Sequence, residues 1–204
     1  MDIAILGAGH VGSSLGKLWA AQGHTIYYGV RDPQSDKTEA VLAETGANSE
    51  AVTVPEAVNA AEIVVLSVGW PNAADALQSA VDWSGKILID TTNRDVFDYE
   101  AGRPGPAADV ARLADGARVV KAFNTLGAEQ FGPMGAQGAS MFICGDDALA
   151  KERVRDLTAE LGFDVVDVGP LENAILLENL AKLWIYLAAR GGYGRDIAFK
   201  LLRG

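Results

Sequence analysis

Cysteine, histidine and basic side chains are all scarce in this 204-residue chain, and each scarcity excludes something. A single cysteine, Cys144, cannot form an internal disulfide and points to a reducing cytoplasm. Together with two histidines, His10 and His24, it leaves too few ligands for a zinc site, so no metal is expected. Basic residues number 17 against 27 acidic ones, a formal charge of −10. That balance argues against nucleic acid, which needs a basic face to displace counterions. It argues equally against adsorption to an anionic membrane. Long apolar runs are also missing. The most apolar late stretch, Ile175 to Ala189, is interrupted by Glu178, Asn179 and Lys182 and is too polar to span a bilayer. The start, Met1-Asp2-Ile3, has neither a basic leader segment nor a cleavage site. The expectation is a soluble, cytoplasmic protein.

Glycine, by contrast, is plentiful, at 23 residues. The length fits one large domain with a small appendage, big enough to bury a core without staples. The pattern alternates from the beginning. Ile3-Ala4-Ile5-Leu6 reads as a buried strand and Val11 to Ala21 as a helix stopped by Gly23. Thr25 to Tyr28, Ala51 to Val54, Glu62 to Val68, Lys86 to Asp90 and Arg118 to Ala122 read as further strands. Helices are expected between them, over 35–45, from Pro55 to Ala61, from Pro71 to Val81 and from Ala107 to Leu113. A Gly/Pro-rich loop, Ala101 to Pro106, precedes the last of these. Such alternation implies right-handed crossovers and a Rossmann-type, doubly wound, mainly parallel α/β sheet of six strands. After a second Gly-rich stretch, Gly127 to Gly138, strands Met141–Cys144 and Asp164–Val168 flank a helix from Asp147 to Leu161. Helices around Asn173 to Ala189 and Tyr193 to Leu202 close a small α+β extension. The expected boundary divides residues 1–125, a dinucleotide-binding domain, from 126–204, a substrate and dimerisation subdomain.

Gly7-Ala8-Gly9-His10-Val11-Gly12 is a G-x-G-x-x-G motif placed directly between the first strand and the first helix. In that setting Gly7 makes the tight turn and Gly9 admits a pyrophosphate to the backbone. Gly12 lets the helix pack close to the strand. The positive helix end then faces the phosphates. The second strand ends in Tyr28-Gly29-Val30-Arg31-Asp32, with Lys37 shortly after. Arg31 offers the planar fork that suits a 2′-phosphate and so favours NADP. Asp32 stands near the position of an NAD ribose acid, with a helix-cap role ahead of Pro33 as its bland alternative. The other strand ends carry Ser67-Val68-Gly69-Trp70, Asp90-Thr91-Thr92-Asn93 and Lys121-Ala122-Phe123-Asn124-Thr125. Asn93 and Asn124 suit a ribose hydroxyl or a carboxamide, or ordinary turns. Trp70 suits a cofactor stack or the core. Lys121 suits a proton donor or, more simply, a structural ion pair. No Ser/His/Asp or Cys/His set is present and no catalytic residue is assigned, which points to direct hydride transfer between two cofactors.

The stretch Ile5 to Gly12, the Gly29-Val30-Arg31 turn, Cys144-Gly145-Asp146-Asp147, Asp167 to Leu171 and Ile197 to Leu201 together resemble the coenzyme F420-dependent NADP oxidoreductases. Lys86 to Asp90 and Val119 to Asn124 are also similar to the cytosolic NADPH domain of the six-transmembrane metalloreductases, which use flavin. The resemblance implies NADP on a Rossmann domain, hydride exchange with F420 or with FMN or FAD, and a homodimer. It implies that Gly7, Gly9, His10, Val11, Gly12 and Arg31 hold the adenine half and pyrophosphate. Ser67, Val68, Gly69, Asn93, Asn124 and Thr125 would surround the nicotinamide end. The chain departs from the F420 pattern at Val30, where Ser is common, at Asp32, where a second Arg is common, and at Gly69, where Pro is common. A non-catalytic NADP(H) sensor and a dehydrogenase of small hydroxy acids or imines, with Lys121 as acid/base, are the alternatives. For the apolar stripe Leu176, Leu180, Leu183 and Leu187, core packing is the default expectation and a dimer face the sharper one.

Overall fold

A computed structural model describes residues 1–80, 82–94 and 106–204. Strands β1 (Asp2–Leu6), β2 (Thr25–Gly29), β3 (Ser49–Val52), β4 (Ile63–Leu66), β5 (Ile87–Asp90) and β6 (Arg118–Lys121) run parallel in the order β3-β2-β1-β4-β5-β6. Strand β7 (Ser140–Gly145) joins β6 antiparallel, and β8 (Asp164–Asp167) lies parallel to β7, making an eight-stranded sheet. The helices are α1 (His10–Ala21), α2 (Asp36–Thr45), α3 (Val54–Ala60), α4 (Ala73–Ser79), α5 (Pro106–Leu113), α6 (Phe131–Ala136), α7 (Ala148–Ala159) and α8 (Ala174–Ala189). This is the doubly wound, mainly parallel architecture expected from the alternation. Of the Gly/Pro-rich loop, residues 101–105 lie outside the described residues, as does Val81.

The strands are buried on both faces, so their side chains alternate between two cores. Ile3, Ile5, Ile63, Val65, Ile87 and Ile89 point into one, with Leu15, Trp19 and Leu157. Ala4, Leu6, Val64, Leu66 and Leu88 point into the other, with Ala57, Leu77 and Val110. The first core extends past β6 into Phe123, Phe131, Met141 and Ile143, so β7 and β8 share it.

Several boundaries differ from the sequence expectation, each for a tertiary reason. The third strand covers Ser49–Val52 rather than 51–54, because Thr53 is the cap of α3: its N–H and hydroxyl both donate to the Glu56 carboxylate, at 2.8 and 2.6 Å. The fourth stops at Leu66, since the Ser67 hydroxyl turns back to donate to Leu6 O and Gly7 O. The helix expected from Pro71 begins as a 3-10 turn, Trp70–Asn72, before α4. Helix α6 lies within the Gly-rich 127–138 stretch, anchored by the buried Phe131. The helix expected over Tyr193–Leu202 is absent. Residues 195–204 follow a non-helical path along β7. There Ser140 N–H donates to Phe199 O at 2.9 Å and Leu201 N–H to Ser140 Oγ at 3.0 Å. The Trp184 indole N–H, from α8, reaches Ile197 O at 2.8 Å. These bonds replace the ones a helix would have supplied.

Just beyond β6, Phe123 sits at φ +59, in the left-handed region that non-glycine residues rarely adopt. It is buried and meets Trp19 and Phe131 edge-on, each with ring centroids 5.7 Å apart. Aromatic packing therefore holds a backbone conformation that swings the chain away from the sheet at the residue before Asn124. Phe123→Ala is expected to cost roughly 3–5 kcal/mol, read as a lower urea midpoint at unchanged slope. A loss under about 1 kcal/mol would show that the ring does not hold this bend.

Candidate functional site

The carboxyl ends of β1, β2 and β4 surround a cavity of about 500 Å³. Gly7 turns the chain at φ +100. A Cβ on Gly12 would stand 2.1 Å from Gly7 O and 2.5 Å from Ser67 Oγ, so only glycine permits α1 to start this close to β1. Gly9 is different: a Cβ there would meet nothing within 4 Å. Its bareness serves no packing need and leaves backbone open above the cavity it lines. Gly7, Gly9, Arg31, Ser67, Val68 and Gly69 all border this space. Gly12 lies behind it, His10 is exposed as the first residue of α1, and Val11 packs against the core.

At the far end of the cavity, past β2, Arg31 donates from Nη2 to Asn72 Oδ1 at 3.1 Å and so reaches across to the turn after β4. Asp32 also lines the cavity; one of its carboxylate oxygens accepts from Gln34 N–H at 3.1 Å, and its carbonyl from the Ser35 and Thr38 hydroxyls. Ser35 caps α2 by accepting from Thr38 N–H. Lys37, Ser35 and Thr38 also line the cavity, so a cation and two hydroxyls join Arg31 there. The sequence points to Lys37 by its place after Arg31 but not to Ser35 and Thr38, although the Ser35-x-x-Thr38 cap spacing marks where α2 starts. Asn72 gave no local signal, since its partner is 41 residues away.

Asn93 and Asn124 sit past β5 and β6 and do not border this cavity. They bond each other: Asn93 Nδ2 donates to the Asn124 backbone carbonyl at 2.9 Å, and Asn124 Nδ2 to Asn93 Oδ1 at 3.0 Å. Thr125 is buried beside them in sequence. Trp70 is half-buried and packs against the second core, with the Arg94 guanidinium 5.1 Å from its ring centroid. Lys121 is fully buried against Asp90 Oδ2 at 2.8 Å and Thr92 O at 2.7 Å. It is a structural ion pair and presents no proton to a substrate. Cys144 is buried beside that pair, and burial pushes its thiol up to about 12. His24 bridges the Met1 amino group and Glu160 Oε2, at 3.2 and 2.7 Å, and plays no part in the cavity. Among the described residues no cluster of His, Cys, Asp and Glu is placed to hold a metal. No helix among them is long and apolar enough to cross a membrane.

The family model for coenzyme F420-dependent NADP oxidoreductases matches residues 2–94. A crystal structure of an Arthrobacter sp. FB24 protein, which carries the name F420-dependent NADP-reductase, superposes with a TM-score of 0.84 at 30% identity. The match covers 98% of this chain and 99% of that one. Metalloreductase STEAP3 of Rattus norvegicus is 30% identical over 183 residues, which is 87% of this chain but 36% of the relative. The chain thus spans about a third of that protein's length. A reductive aminase from Aspergillus terreus, in complex with NADPH and ethyl-5-oxohexanoate, shares the fold at a TM-score of 0.71 and 24% identity, over 94% of this chain and 63% of its own. The strand–glycine turn–helix start, the eight-stranded sheet and the near end-to-end match with the Arthrobacter protein place the chain in the coenzyme F420-dependent NADP oxidoreductase family.

Proposed function

We propose that the chain binds NADP(H) and exchanges hydride with a flat acceptor ring, coenzyme F420 first and FMN or FAD second. The observation that carries the reading is the cavity itself, which runs from the bare backbone at Gly9 to the cations Arg31 and Lys37. Its two ends match the two phosphate positions of NADP: a pyrophosphate at the start of α1 and a 2′-phosphate beyond β2. The preference for NADP over NAD rests on Arg31 and Lys37, since Asp32 borders the same cavity with only one carboxylate oxygen taken by Gln34 N–H.

When bound, NADP(H) supplies a hydride at the nicotinamide ring. The residues of the chain bind and orient. Gly7, Gly9, His10, Val11 and Gly12 form the phosphate-facing turn, and Arg31 with Lys37, Ser35 and Thr38 takes the 2′-phosphate. Ser67 holds that turn in shape, while Val68, Gly69, Asn93, Asn124 and Thr125 face the nicotinamide end. No side chain is assigned a proton transfer, since Lys121 is sealed in its ion pair.

A homodimer is part of the proposal. The buried face of α8 is Ala174, Leu177, Glu178, Ala181 and Trp184, which differs from the stripe expected to pack inward. Leu176 and Leu183 from that stripe are instead exposed, alongside Ile175 and Tyr186. Such a face is the natural seat of a second copy.

Three measurements test these points. Stopped-flow mixing of NADPH with F420 or FMN is expected to show rapid acceptor reduction; no reduction of either removes the catalytic half of the reading. Arg31→Ala is expected to weaken NADPH about 10- to 100-fold, the worth of a charge-assisted phosphate contact, and to leave NADH nearly unchanged. Equal effects on both would remove the 2′-phosphate assignment. Light scattering at micromolar concentration is expected to give twice the chain mass of 21.4 kDa. A monomer mass would leave α8 without its partner.

A further inference from the structure

Three ionisable side chains meet in the interior where β5, β6 and α8 come together. Asp90 and Lys121 are fully buried and Glu178, from α8, nearly so. Lys121 Nζ lies 2.8 Å from Asp90 Oδ2 and 3.5 Å from Glu178 Oε1. Burial holds the Glu178 carboxyl above its ordinary range, opposed by the charge of Lys121. Taking charges out of water is costly, and apolar residues of similar size stabilise a core as well or better. A buried pair of this kind is therefore better read by what it holds in place.

What it holds is Thr92. The Thr92 N–H and hydroxyl both donate to Asp90 Oδ1, at 2.9 and 2.7 Å, and its carbonyl accepts from Lys121 Nζ at 2.7 Å. Every polar atom of this residue is bound by the ion pair. The next residue is Asn93. Its Nδ2 donates to the Asn124 backbone carbonyl, an acceptor only, so its Oδ1 must face Asn124 and receive that residue's Nδ2. The Asn124 amide is thereby oriented by Asn93, whose place in the chain follows directly on the Thr92 that the ion pair holds. The remaining atom, Asn124 Oδ1, is buried without a hydrogen-bond partner. A buried acceptor without a donor is costly unless a ligand supplies one. It lies at the carboxyl end of the sheet, past β6, just after the left-handed backbone of Phe123.

We propose that Lys121 and Asp90 are positioning residues: through Thr92 and Asn93 they fix Asn124 with its side-chain oxygen free to accept from a ligand amide or hydroxyl. Resting on the NADP(H) reading, this assigns that oxygen to the carboxamide or ribose of the nicotinamide half. Glu178 ties the arrangement to α8.

The test compares two ligands by calorimetry, NADPH and 2′-phospho-ADP-ribose, which keeps the phosphates and lacks the nicotinamide ring. Lys121→Met is expected to weaken NADPH about tenfold or more, the scale of one lost well-aligned hydrogen bond, while 2′-phospho-ADP-ribose binds within about twofold of the parent. Asn124→Ala is expected to give the same split. Should Lys121→Met lack a cooperative thermal transition, Asp90→Asn, which keeps the shape and removes the charge, is read in its place for the same split. Equal losses for both ligands would mean a merely structural role and overturn the proposal, as would unchanged NADPH binding. A parent protein that binds 2′-phospho-ADP-ribose but gains nothing from the nicotinamide half also overturns it, with the NADP reading intact. A parent that binds neither ligand removes that reading and this inference together.

Discussion

How closely α1 approaches β1 governs the rest of the molecule. With a Cβ at position 12 the nearest atom would be Gly7 O at 2.1 Å, so the helix sits on the strand end at a distance no side chain allows. Ser67 is drawn into the same knot, donating to Leu6 O and Gly7 O, and it sets where β4 ends. The turn that follows carries Asn72, which receives Arg31 from beyond β2. Three strand ends are thus referred to one backbone contact, and the cavity between them inherits its shape from it. The open space at Gly9 and the crowding at Gly12 are two sides of that constraint.

Much of this was legible in the sequence wherever its cause was local. The alternating Ile3-Ala4-Ile5-Leu6 and Ile87-Leu88-Ile89 segments serve two cores, and such runs read as strands because both faces are apolar. The glycine turn was readable because three of its positions have backbone duties. Where the cause was remote, the reading fell short. Residues 195–204 contain apolar side chains at helix-like spacing, yet their backbone partners lie on β7, more than fifty positions earlier. The leucine stripe of α8 was visible, but which face packs inward was decided by Trp184 and Leu177 against the rest of the chain. Lys121 was visible as a lysine at a strand end. That Asp90, 31 residues earlier, would bury it was a matter of strand order.

The two ends of the site use charge in opposite ways. At Arg31 and Lys37 cations border a cavity that Asp32 and Asp75 also line, in a chain whose overall charge is −10, so any attraction for an anion there depends on the placement of these two cations. At Lys121 the charge is out of water altogether and is answered by two carboxylates within the fold. One arrangement leaves electrostatic energy available to a ligand. The other spends it on geometry and passes the result on through neutral amides.

The path of residues 195–201 changes how the molecule holds together. Trp184, Ser140, Gly138 and Asp164 all bond to this one segment. Trp19 likewise reaches the Leu157 carbonyl across 138 residues. The region beyond β6 contains α6, α7 and α8, and contacts between distant parts of the chain stitch these helices to the sheet. Opening of this wall and global unfolding are in consequence closely linked.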